Sequence, residues 1–140
     1  DWSVAKWDGK KLGKKVEKLE KIALGAAEQS KRNLVPSIKL FEKKADFLAQ
    51  LDKFDSIVVA YEESAKEGEA AALLQAVAGL EKGVKLLFIF GPEGGLSPAE
   101  IESFEAKRAV LAGLGPRILR AETAPLYALS ALSVLVELEK

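Results

Sequence analysis

The chain has 140 residues, 49% hydrophobic and 30% charged, with 21 Lys/Arg balanced by 21 Asp/Glu. That is the size and make-up of one globular domain with a real core, neither disordered nor membrane-spanning. Cysteine and histidine are both absent, which excludes disulfides, thiolate nucleophiles, Ser-His-Asp hydrolysis and ordinary zinc chemistry, so no metal is expected. Methionine is also absent and position 1 is Asp, so the sequence reads as part of a longer translation product. Nothing near its start resembles a signal peptide, and no apolar run approaches the roughly 18 residues of a membrane span. A soluble cytoplasmic protein with no membrane partner is expected.

The charge is unevenly spread. Residues 1–32 carry nine Lys/Arg against five Asp/Glu, a local +4, while residues 33–80 sum to −3 and the remainder to −1. A basic leading segment either meets phosphates or is a solvated helix face. Residues 1–11, with Trp2, Trp7 and Gly9, show no periodicity and read as an irregular lead-in. Its tryptophans either stack on bases or plug an apolar groove. From Leu12, the residues Val16, Leu19, Ile22, Ala23, Ala26 and Ala27 recur at helical spacing with lysines between them, predicting a helix to about Ser30. Leu34–Leu40 alternates around Pro36 and predicts a short strand near a sheet edge. Glu42–Leu51 predicts a short helix with Phe47, Leu48 and Leu51 on one side.

Ser56–Tyr61 is a compact β-branched run and predicts a buried strand. Ala65–Leu80 predicts a helix closed by Gly79 or Gly83, and Val84–Phe90 a second buried strand. Ser97, Pro98 and Glu100 are spaced as N-cap, first and third positions of a helix running to about Lys107. Ala109–Leu114 predicts a further strand, and Leu126–Glu139 an apolar C-terminal helix that serves as core, interface or both. Buried strands alternating with helices predict one α/β domain, its mostly parallel sheet covered by helices on both faces.

In such a sheet, ligands sit at the loops leaving the strand C-termini. Three loops qualify: residues 61–64, 91–97 and 113–123. The second, GPEGGLS, carries Gly91, Gly94 and Gly95, but it has neither the Lys-Ser/Thr of a phosphate loop nor the G-x-G-x-x-G spacing of a dinucleotide site. On the residues alone it is a binding loop or simply a tight turn. The third carries Arg117 and Arg120, which either orient an anion or a base or pair with Glu93 or Glu122 to fix the loops. Thr123 is placed to cap the next helix. Glu28, Gln29 and Arg32 read as an ordinary polar helix end. The residues themselves lead to an α/β domain with a site built from three loops.

Three stretches taken together carry a resemblance. AAEQSKR (26–32), GPEGGLSPAEI (91–101) and LGPRILRAETAPLYAL (114–129) closely resemble the RsmE type of 16S ribosomal RNA (uracil-N3) methyltransferase, of the SPOUT class. The likeness runs from about Lys10 to the end. It implies a deep C-terminal trefoil knot, a homodimer, S-adenosylmethionine as methyl donor, and N3 of a uridine in 16S rRNA of the small ribosomal subunit as acceptor. It implies cofactor contacts at Gly91, Gly94, Gly95, Leu114, Gly115, Ile118, Leu119 and Thr123, with Tyr61 and Glu62 as weaker candidates. Arg120, Glu122, Arg32 and Glu93 become the catalytic candidates, and Glu28, Gln29, Arg32 and Arg117 the RNA-binding ones. Against the family pattern, the PUA-like N-terminal barrel is expected to be absent from this stretch. The first strand and helix of the catalytic domain are expected to be missing or replaced by the lead-in DWSVAKWDGKK, and Ala121 stands where members often have threonine. The rival expectations are ribose 2′-O methylation, a non-catalytic RNA-binding or ribosome-assembly module on the same fold, and a generic nucleotide-binding domain.

Overall fold

The computed structural model describes residues 9–61, 71–115 and 117–138. They divide into two compact units between Phe47 and Leu48. Of the lead-in predicted to be irregular over residues 1–11, residues 1–8 lie outside the described residues, as do Glu62 and the first part of the predicted helix 65–80. Residues 9–11 are helical rather than irregular.

The first unit is dominated by α1 (Gly9–Gln29). Leu12, Val16, Leu19 and Ala23 lie half-buried along one side and Ala27 is buried, while the lysines between them face water. The helix stops as the sequence spacing predicts. Lys31 takes a left-handed φ of 59°, and Arg32 N–H donates back to the carbonyl of Ala27 at 2.9 Å. The predicted strand at Leu34–Leu40 does not form: these residues have no regular structure, and Leu34 is 83% exposed. Pro36 removes one ladder donor, and the run pairs with none of the described strands. After it comes α2 (Lys44–Gln50), continued by a single 3₁₀ turn (Leu51–Lys53) that buries Leu51. The predicted helix therefore begins two residues later than its sequence boundary, at Lys44.

The second unit holds a three-stranded sheet of β1 (Ser56–Ala60), β2 (Leu86–Ile89) and β3 (Val110–Ala112), in the order β2-β1-β3. All pairings are parallel, with Val59 opposite both Ile89 and Leu111. Ile57, Val58 and Val59 are all buried. Successive strand residues face opposite sides, so both faces of β1 are covered. On one face, Val58 and Ala112 pack with Leu73 and Val77 of α3 (Ala71–Ala78). Leu132 of α5 (Ala124–Ser133) packs against the same cluster, as does Leu135 of the π-helical turn (Val134–Leu138) that ends the helix.

The crossover from β1 to β2 runs one way along the sheet, and the crossover from β2 to β3 runs back past β1. Parallel crossovers are right-handed, so these opposite directions place α3 and α4 (Pro98–Glu105) on opposite faces. Helix α4 begins as its sequence requires: Ser97 Oγ accepts from Glu100 N–H at 3.2 Å, and Pro98 stands in the first turn. It buries Ile101 and Phe104. Among the described residues no helix is long and apolar enough to cross a membrane.

Phe104 is 1% exposed, so Phe104→Ala leaves a cavity under α4 and is expected to lower stability by about 3–5 kcal/mol. Ser97→Ala, which removes only the cap, is expected to cost about 1 kcal/mol. Urea unfolding midpoints of the two variants, compared with the parent chain at constant slope, check both values.

Candidate functional site

The in-step register ends all three strands at one edge of the sheet. The loops that leave there enclose a cleft of about 630 Å³. The first loop starts at Tyr61, whose N–H donates to the carbonyl of Ala112 at 3.0 Å, so the chain leaving β1 is held beside β3. Tyr61 lines the cleft.

The second loop folds onto itself. Gly95 N–H donates to Pro92 O at 2.8 Å, and Gly95 has a φ of 78°. A Cβ at Gly91 would lie 2.9 Å from Leu96 Cγ, so a side chain there would drive Leu96 away. Gly91, Glu93, Gly95 and Leu96 all line the cleft.

The third loop is bent at Gly115, with a φ of 91°, and the Tyr127 hydroxyl of α5 sits 3.1 Å from where a Cβ would stand. Both φ and space therefore reserve this position for glycine. On either side of it, Leu114, Ile118 and Leu119 offer apolar surface to the cleft, and Arg117, Arg120 and Glu122 add charge. The loop enters α5 through Arg120, whose carbonyl accepts from the N–H groups of Thr123 and Ala124.

Most residues expected of a site thus come together; of the expected cofactor contacts, two do not, and Glu28, Gln29 and Arg32 are not among the lining residues either. Gly94 is absent from the cleft lining and has open space around it. Thr123 is absent too, and it is not a side-chain cap. Its backbone is already helical, with φ −88° and ψ −35°, so its hydroxyl makes no capping bond. Glu28 and Gln29 end α1, and Arg32 follows the helix, all in the first unit. Glu62 lies outside the described residues.

Sequence reasoning missed Phe90, which lines the cleft beside Gly91. Its ring stacks on that of Phe88, with centroids 5.0 Å apart and 10° between planes. The i, i+2 spacing of two aromatics at the end of a strand was the available signal. Ala121 and Ala124 also line the cleft, and nothing in their chemistry marks them.

Arg120 Nε lies 3.3 Å from Glu122 Oε1, and the two side chains are 82% and 64% exposed. An ion pair so open to water contributes about 0–1 kcal/mol, so it does not cement the loop. Among the described residues the other nitrogens of Arg120 make no ion pair, and Arg120 can turn toward an incoming anion. No group of three acidic side chains is gathered there as a metal site among the described residues. Apolar walls, close-lying backbone and a rim bearing both charges suit a ligand with a flat apolar part and a charged tail.

Gly115→Ala is expected to destabilise the chain by about 1–3 kcal/mol, and Gly94→Ala by no more than about 0.5 kcal/mol. Thermal unfolding of the two variants side by side checks this contrast.

Residues 1–133 match the RNA methyltransferase domain family. The chain is 54% identical over 136 residues to the ribosomal RNA small subunit methyltransferase E of Bacillus subtilis (strain 168), covering 97% of this chain and 53% of that one. It superposes with a TM-score of 0.89 on the crystal structure of a hypothetical protein of 49% identity, covering 99% of this chain and 53% of the other. It also superposes, with a TM-score of 0.72 and 26% identity, on the ribosomal RNA small subunit methyltransferase E from Neisseria gonorrhoeae bound to S-adenosyl methionine, over 97% of this chain and 53% of that one. The chain spans about half the length of the curated relatives it matches. A cleft of glycine-bent loops at the end of a parallel sheet is therefore found on a chain that belongs to the RNA methyltransferase domain family.

Proposed function

We propose that the protein methylates N3 of a uridine in 16S rRNA of the small ribosomal subunit, using S-adenosylmethionine. The observation that carries this reading is the cleft itself. Three strand-end loops enclose about 630 Å³, within the range of about 300–1,000 Å³ typical of small-molecule sites. Gly91 and Gly115 stand where side chains press close and Gly95 where the backbone turns left-handed, and a relative of the same fold binds this cofactor.

Leu114, Ile118 and Leu119 would hold the adenine by apolar contact and backbone hydrogen bonds, with Gly91, Gly95 and Gly115 admitting the close approach and Tyr61 closing one end. When bound, the cofactor supplies an electrophilic sulfonium methyl group. Gly94 and Thr123, outside the lining, would act only by shaping the neighbouring turns. Passage of the loops through one another as a C-terminal trefoil knot belongs to this reading, as do a cytoplasmic location and a preceding PUA-like barrel.

The acceptor imide must lose its N3 proton, because the protonated nitrogen is a poor nucleophile. The chain has no histidine, so a carboxylate or water accepts that proton, and Glu122 and Glu93 are the carboxylates in the cleft. The free guanidinium nitrogens of Arg120 stabilise the resulting imide anion. Arg117, and beyond the cleft Glu28, Gln29 and Arg32, hold the RNA. The exposed row on α5, with Leu126 66% and Leu129 64% exposed, supports a homodimer through this helix.

Calorimetric titration is expected to show saturable binding of S-adenosylmethionine, lost in Gly115→Val. Arg120→Ala is expected to keep cofactor affinity and lower the methylation rate by about 10²–10³. Mass spectrometry of nucleosides from the product RNA is expected to show 3-methyluridine, whereas a ribose-methylated nucleoside would move the activity to the 2′-hydroxyl. Leu126→Glu combined with Leu129→Glu is expected to turn a sedimenting dimer into a monomer.

A further inference from the structure

We propose that the lysine stripe of α1 is a docking surface for the phosphate backbone of RNA. The proposal rests on the methyltransferase reading for the identity of the polyanion, and on α1 for its place. Lys14, Lys18 and Lys21 are spaced i, i+4, i+7 within the 21-residue helix, so they share one face. At a rise of about 1.5 Å per residue, the first and last stand roughly 10 Å apart along the axis. All three are exposed, and among the described residues none makes an ion pair. Glu17 flanks the stripe, and Glu20 lies farther round the helix.

The stripe is only partly offset within its own helix: Glu17 stands three residues after Lys14 and four before Lys21, a single carboxylate against three lysines. Lys14 and Lys18 are like charges four residues apart, which destabilises a helix. The first turn of α1 holds no acidic residue, although a helix N-terminus favours carboxylates. Residues 1–32 hold a net +4 while the rest of the chain sums to −4. Positive charge is thus gathered where neither the helix nor the net charge requires it. The apolar side of α1 is already half-buried along Leu12, Val16, Leu19 and Ala23. The exposed Ile22 and Leu24, two residues apart, lie on different sides of the helix, so they form no continuous apolar face to enter a lipid surface. A row of separate point charges suits a line of phosphates, and such contacts position the nucleic acid while the cleft selects the base.

The test compares two triple variants. Lys14→Gln, Lys18→Gln and Lys21→Gln empty the stripe, while Lys39→Gln, Lys82→Gln and Lys85→Gln remove the same charge from exposed positions elsewhere. Binding of a uridine-containing RNA hairpin is measured across a salt series, with S-adenosylmethionine affinity and methyl transfer measured alongside. The stripe triple is expected to flatten the slope of log affinity against log salt by about 2–3 with cofactor affinity unchanged, and the control triple to change the slope by less than about one. Equal slope changes in the two triples, no change in the stripe triple, or no RNA binding by the parent chain would overturn the proposal. So would stripe-dependent adhesion to vesicles of anionic phospholipid without salt-dependent RNA binding. Methyl transfer by a parent chain whose slope ignores the stripe would overturn this inference and leave the proposed function standing. A stripe-dependent slope without methyl transfer would do the reverse.

Discussion

Everything in the second unit depends on the burial of β1 on both faces while it pairs in parallel with strands on both edges. Ile57, Val58 and Val59 are closed off from water, so the polar backbone between them must be paired in full. The in-step pairing with β2 and β3 meets that requirement. Parallel pairing has a second consequence. It brings all three strand C-termini to the same edge, so the loops that follow converge whatever their sequences. The site is where the fold needs its chain reversals, and the residues of those loops decide what it can bind.

The loops divide the labour between geometry and charge. Geometry is held by small residues and by backbone bonds: Gly91 under Leu96, Gly115 under Tyr127, and the Gly95 N–H bond to Pro92. Charge is held loosely. Arg120 and Glu122 touch, but both lie mostly in water, where the pair gains little. A rim of this kind can rearrange around a substrate without cost to the fold, while the glycine-bent floor stays in place. The first unit separates its roles in the same way. The half-buried row of α1 anchors the helix, and its opposite side displays exposed lysines.

Much of this was legible beforehand. The β-branched run at Ser56–Tyr61 and the apolar run ending at Phe90 became strands because their apolar centres, Ile57–Ala60 and Leu86–Ile89, are most stable buried in a core. The start of α4 was readable to the residue, since a capping serine, a proline and a glutamate at fixed offsets have one low-energy arrangement. The three motif stretches carried the family resemblance, and the match of residues 1–133 to the RNA methyltransferase domain agrees with it. Leu34–Leu40 marks where local reading fails. Alternation describes a strand that finds a partner, and partnering depends on the sheet as a whole, whose three described strands pair without it.

What the sequence determined by itself was the set of elements that local chemistry dictates, together with the glycines and charged residues available to a loop cluster. Only the tertiary structure decided which of them meet. It kept Gly91, Gly95 and Gly115 in the cleft and left Gly94 and Thr123 out, because the turn closing at Gly95 and the helical backbone at Thr123 aim them elsewhere. It also brought in Phe90, whose place depends on strand register rather than on its own chemistry. Propensity acts between neighbours along the chain, whereas a site is a relation between segments dozens of residues apart, and only strand pairing and core packing fix that relation.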